Sequence, residues 1–175
     1  TSVDAQIQIK YGSNTIEVDG GQTLTVSNLG ANNPGRGFAK TGDGTLDFQD
    51  ANGYASGGSF SVNAGTVLVN NTSGSGTGDC TVTVHSDATL GGEGTIAPTI
   101  DGRTITVQDG GTVAPGNSTG TLTFDLRSTT GTVSFDSGAG FLFEFNSPSD
   151  FDTIVFLDDT TGDTDVTFND NAVDF

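Results

Sequence analysis

A short alternating strand followed by a turn and a second strand recurs along this chain at a step of about 22 residues. The first strand of the unit reads Thr15-Ile16-Glu17-Val18, then Ser59-Phe60-Ser61-Val62, Thr81-Val82-Thr83-Val84, Thr104-Ile105-Thr106-Val107 and Thr132-Val133-Ser134-Phe135. One apolar column follows from it: Ile16, Phe38, Phe60, Val82, Ile105, Val133. The second strand supplies another: Leu24, Leu46, Val67, Leu90, Val113, Phe141. A threonine column, Thr23, Thr45, Thr66, Thr89 and Thr112, stands one residue before it. The last step of each apolar column is longer, 28 residues, and holds an insertion.

Columns of like residues at a fixed step need a fold in which equivalent positions stack. In a β-solenoid each coil hydrogen-bonds to the next at about 4.8 Å, so like side chains lie over one another. Period-two alternation turns one set inward and the other outward. The sequence therefore predicts an all-β chain, a right-handed parallel β-helix (β-solenoid) with about 22 residues per coil, forming a single domain over 1–175. An antiparallel sandwich explains the density of strand-like runs but not the constant step. Lys40 is the misfit, because it occupies the slot held elsewhere by Val18, Val62, Val84 and Val107. Either its side chain turns outward or that coil is irregular.

Composition agrees with an elongated body around a thin core. Apolar residues make up 32% of the chain, below the usual globular share, and Gly numbers 27. Five basic residues against 22 acidic ones leave a formal charge of −17. Such a balance argues against nucleic acid and anionic membrane surfaces as partners, since both select clustered Lys and Arg. No apolar run is long enough to span a membrane. The chain opens at Thr1 without a signal-peptide pattern, which reads as a mature or trimmed form.

The stretch Lys40-Thr41-Gly42-Asp43-Gly44-Thr45-Leu46 resembles the K-x-G-x-G-T-L opening of the autotransporter-associated β-strand repeat. It continues as ANGYASGGSFSVNAGTVLVNN, similar to that family's N-x-Y-x-G-G-x-x-V-x-A-G-T-L-x-V core, and then as GSGTG, ATLGGEGTI and GGTVAPGNSTGTLTF. The likeness covers residues 38–157. It implies a secreted bacterial β-helix of the kind found in autotransporter passengers and large surface proteins. The repeat is a scaffold and names no activity.

Each candidate site in the sequence has a plainer structural role beside it. The run Gly74-Ser75-Gly76-Thr77-Gly78 is similar to a phosphate-binding loop, but a strand rather than a helix follows it, so it reads as a solenoid turn. A glycosidase needs two facing carboxylates. Glu17, Glu93 and Glu144 are the only glutamates, most aspartates fall in turns, and the cations Lys10, Arg36, Lys40, Arg103 and Arg127 are scattered. Cys80 and His85 sit five apart, on opposite faces of a regular strand, and so do not read as a nucleophile–base pair. The best metal candidate is the acidic run holding Asp158, Asp159, Asp163 and Asp165, whose closely spaced carboxylates around Gly162 suit calcium. An acidic turn is the plainer reading, so no cofactor is expected. Asn70, Asn71 and Asn117 begin formal glycosylation sequons and read as turn residues.

The expected role is accordingly extracellular or at the cell surface: a stalk, an adhesin scaffold or a filament subunit without catalytic activity. The alternative is a carbohydrate-binding or carbohydrate-processing β-helix. Expected partners are the protein itself, as an end-to-end homopolymer or as neighbouring solenoid coils, and a surface glycan or cell-surface partner. The basis for self-assembly is strand-like sequence at both ends, Ala5 to Tyr11 at one and Val166 to Phe168 and then Val173 to Phe175 at the other, without a polar capping coil.

Overall fold

The computed structural model describes residues 2–9, 14–31, 35–53, 58–158 and 166–169. They form strands and turns with no helix. Three parallel sheets make the walls. The first holds β1 (Ser2–Ile9), β3 (Thr23–Ala31), β5 (Thr45–Phe48), β7 (Gly65–Val69), β9 (Ala88–Gly92), β12 (Thr112–Pro115) and β15 (Gly140–Phe141), in that order. The second holds β2 (Asn14–Glu17), β4 (Phe38–Thr41), β6 (Ser59–Val62), β8 (Thr81–Val84), β11 (Thr104–Val107), β14 (Thr132–Phe135) and β19 (Val166–Phe168). The third is shorter: β10 (Thr95–Ile96), β13 (Thr121–Asp125) and β18 (Thr153–Leu157). Successive strands of the chain alternate between walls, and each pairs in parallel with its counterpart one coil away. The fold is a β-solenoid.

The register carries the side-chain ladders. In the first sheet Leu24 lies opposite Leu46, then Val67, Leu90, Val113 and Phe141, as the sequence predicts. The threonine ladder runs beside it from Thr23 through Thr45, Thr66 and Thr89 to Thr112. In the second sheet Phe38, Phe60, Val82, Ile105, Val133 and Val166 stack in turn. Burial follows the pleat: Val82 and Val84 are fully buried while Thr81 and Thr83 are half-buried. The expected column fails at its first member. Ile16 lies opposite Lys40, and Asn14 opposite Phe38, so β2 is displaced by two residues from the stack below.

The core is one side chain deep from each wall. Phe48 of the first sheet meets Phe60 of the second edge-on, with ring centroids 5.7 Å apart. Phe135 of the second sheet meets Phe156 of the third, 6.2 Å away. A core this thin explains how a low apolar share suffices. Each coil contributes only a few apolar side chains, and the next coil covers them.

In the N-terminal coils buried asparagines hold the corners where the third sheet has no strand. Asn52 accepts the Leu29 N–H with Oδ1 and donates through Nδ2 to Gly76 O. Asn71 donates to Ser73 O and Gly74 O and accepts the Thr95 N–H at 2.9 Å. Backbone groups that would be orphaned inside the wall are satisfied by these amides.

A two-stranded antiparallel hairpin, β16 (Phe145–Ser147) and β17 (Asp150–Phe151), leaves the wall between β15 and β18. Buried Asp152 fixes its base: Oδ1 accepts Gly120 N–H at 2.8 Å and Oδ2 accepts Glu144 N–H at 2.7 Å.

Candidate functional site

Outward-facing residues of the first coils line a shallow groove on the second sheet. Alternation turns Thr15 of β2 and Ser59 and Ser61 of β6 away from the core. The Gly35–Gly37 turn brings Arg36 beside them, and Asn14 and Phe38 complete a cavity of about 490 Å³. Its lining combines one guanidinium, hydroxyls and one amide, a donor-rich surface of the kind that suits polyols or carboxylated sugars. The sequence columns placed Phe38 and Phe60 but gave no sign of the groove, whose lining comes from outward positions and a turn.

The glutamates singled out from the sequence are exposed and lie in different coils: Glu17 on β2, Glu93 between β9 and β10, and Glu144 beside the hairpin. Cys80 is fully buried just before β8, and its Sγ donates to Thr77 O at 2.9 Å. Burial pushes its thiol up to about 12. His85 is half-buried just after the same strand. The glycine-rich run Gly74–Gly78 is a turn between β7 and β8, as expected, with Gly78 N–H bonded to Ser75 O.

Asp158 is exposed at the end of β18, while Asp159, Asp163 and Asp165 lie outside the described residues. Among the described residues no three His, Cys, Asp or Glu side chains form a metal-sized cluster. Several other acidic side chains act as staples between turns. Asp79 accepts from Thr99, Asp101 accepts the Thr130 N–H at 3.0 Å, and Asp47 accepts from Asn70 at 2.8 Å. Of the sequon residues, buried Asn71 and half-buried Asn70 are hydrogen-bonded between coils; Asn117 is exposed.

Lys40 faces inward and is fully buried, so its side chain does not turn out to solvent. Its ammonium donates to Gly42 O at 2.7 Å and to Thr41 O and Ala64 O, each at 3.0 Å. Burial pushes its pKa down, and nearby Asp43 pushes it back up. The three carbonyl acceptors favour the charged form.

The sequence placed the apolar aromatics mostly in interior columns, and Phe38, Phe48, Phe60, Phe124 and Phe135 are buried there. Near the C-terminal coil the pattern breaks. Leu142, Phe143, Phe145, Phe151 and Phe168 are exposed, Phe145 by 71%. Phe145 and Phe151 pair across the hairpin with centroids 6.4 Å apart.

No protein-family model, curated protein or solved structure matches the chain.

Proposed function

We propose that this protein is a structural β-solenoid of the cell surface or extracellular space, serving as a stalk, adhesin scaffold or filament subunit and catalysing no reaction. The observation that carries this reading is the coil-to-coil continuity of the second sheet. There Phe38, Phe60, Val82, Ile105, Val133 and Val166 stack without a break while the turns outside are stapled by Asp, Asn and Thr. Polar side chains spent on bracing neighbouring turns build stiffness. The resemblance to autotransporter-associated repeats supports the same reading and an extracellular setting. The outermost strands of the two long sheets all run parallel, so another coil or another copy would add in the same hydrogen-bond pattern. Electron microscopy of the native, full-length product tests the proposal: rods or filaments are expected, and compact globular particles would overturn it. Purified protein is also expected to leave pectin, alginate, glucans and chitin uncleaved.

The groove beside Arg36 favours one second reading, a carbohydrate-binding β-helix. A glycan-binding screen separates the two. Saturable binding lost in Arg36→Ala and Ser61→Trp supports the second reading, and no binding leaves the scaffold.

A further inference from the structure

The ladder of Val62, Val84, Val107, Phe135 and Phe168 receives a lysine at its N-terminal side, Lys40. The three carbonyls that hold its ammonium come from two successive coils. Thr41 ends β4 and Gly42 lies in the turn after it, and Ala64 lies in the turn after β6. Both turns are pinned by glycines in the left-handed region, Gly42 at φ 74° and Gly65 at φ 69°. The two turns are also packed closely together. A Cβ on Gly65 would come within 2.5 Å of the carbonyl oxygens of Gly42 and Gly44, so the spacing between these turns admits no side chain there. The oxygens are thus fixed by backbone geometry. They converge at distances that fit an ammonium or a similarly sized monovalent cation, and exposed Asp43 in the same turn adds opposite charge.

We propose that this corner is a monovalent-cation cage, that Lys40 fills it with its own ammonium, and that the cage takes ammonium, methylammonium or potassium from solution when the lysine side chain is removed. Filling the cage ties the coil of β4 to that of β6. Ile16 of β2, not Val18, lies across from Lys40.

The experiment uses the full chain with Lys40→Ala and Lys40→Met, melted at matched ionic strength in sodium, potassium, ammonium, methylammonium and tetramethylammonium chloride. Lys40→Ala is expected to melt below the wild type and to recover, saturably, in at least one of the three small cations, because a ligand bound only by the folded state raises its stability. Tetramethylammonium, too large and without N–H donors, is expected to have no more effect than sodium. Lys40→Met fills the same space without charge and is expected to stay destabilised in every salt. An identical response of Lys40→Ala to all five salts would overturn the proposal, as would a Lys40→Met variant as stable as the wild type.

A second measurement needs no variant. The chain has two lysines, Lys10 and Lys40. Under a brief pulse of amine-reactive reagent the Lys40 peptide of the folded protein is expected to label at least ~100-fold more slowly than in denaturant, since reaction requires opening of the corner. Labelling at the denatured rate would show that the ammonium is not held, and would end the proposal even if Lys40→Ala failed to fold.

Discussion

The rings of Phe38 and Phe60 lie one coil apart, stacked with centroids 4.3 Å apart and planes 16° from parallel. Phe60 is fully buried and also meets Phe48 edge-on. Two walls therefore meet at one ring in a core with no second layer behind it. Phe60→Ala is expected to cost about 3–5 kcal/mol in unfolding free energy, by lost burial and the cavity left behind. Phe145→Ser, at an exposed ring, is expected to change stability by less than about 0.5 kcal/mol. Urea denaturation of the two variants checks the contrast, and equal effects would contradict the assigned interior.

Asp152 joins the hairpin to the wall through two backbone donors, Gly120 N–H and Glu144 N–H. Asp152→Ala leaves both without this acceptor and is expected to destabilise by about 1–3 kcal/mol. Limited proteolysis should then cut first in the hairpin turn around Pro148. Asp152→Asn keeps one acceptor oxygen and should fall between wild type and alanine. A proteolysis pattern unchanged in Asp152→Ala would show that the hairpin is held some other way.

With its thiol pushed up to about 12 by burial, Cys80 carries almost no thiolate at pH 8. Iodoacetamide is expected to leave the folded protein unmodified and to alkylate it fully in denaturant, as mass spectrometry would show. Rapid native alkylation would place the sulfur at the surface.

Arg127 grips Asp125 with two hydrogen bonds, from Nε at 2.9 Å and from a terminal nitrogen at 2.7 Å, and this holds the carboxyl below its usual 3.8. A depressed carboxyl pKa contributes stability that is present above the unfolded value and lost as pH falls through the folded one. The arginine side chain is 56% exposed, so the contribution is small and screened by salt. The melting difference between wild type and Arg127→Ala is therefore expected to be slight at pH 7, to shrink in high salt and to vanish below the ordinary carboxylate range. A difference that grows on acidification would reverse the sign of this assignment.

How far the sequence could be read follows from which forces repeat. The Leu24 column was legible to its last member, because every coil uses the same slot for the same physical purpose. The third wall was not picked out, since Thr95 pairs with Thr123 and Thr121 with Thr153, steps lengthened by insertions that break the period. The offset of β2 was hidden for another reason. Ile16 and Val18 are both apolar, so the side-chain pattern alone does not choose between them. Phe141-Leu142-Phe143-Glu144-Phe145 reads as one more alternating strand, yet β15 ends at Phe141. The chain leaves the wall there because buried Asp152 clamps the hairpin's base. The groove beside Arg36 likewise combines three strands and a turn, an arrangement that leaves no periodic trace.

The hairpin between β15 and β18 departs from the wall and returns to it with the ladder of the third sheet intact, Thr121 opposite Thr153 and Phe124 opposite Phe156. Its two ends are closed by one carboxylate. Extra length at this corner is thus decoupled from the coil beneath, which makes the Ser147–Asp150 turn a natural splice point. A foreign peptide grafted there would be carried on the solenoid wall without the wall having to be redesigned.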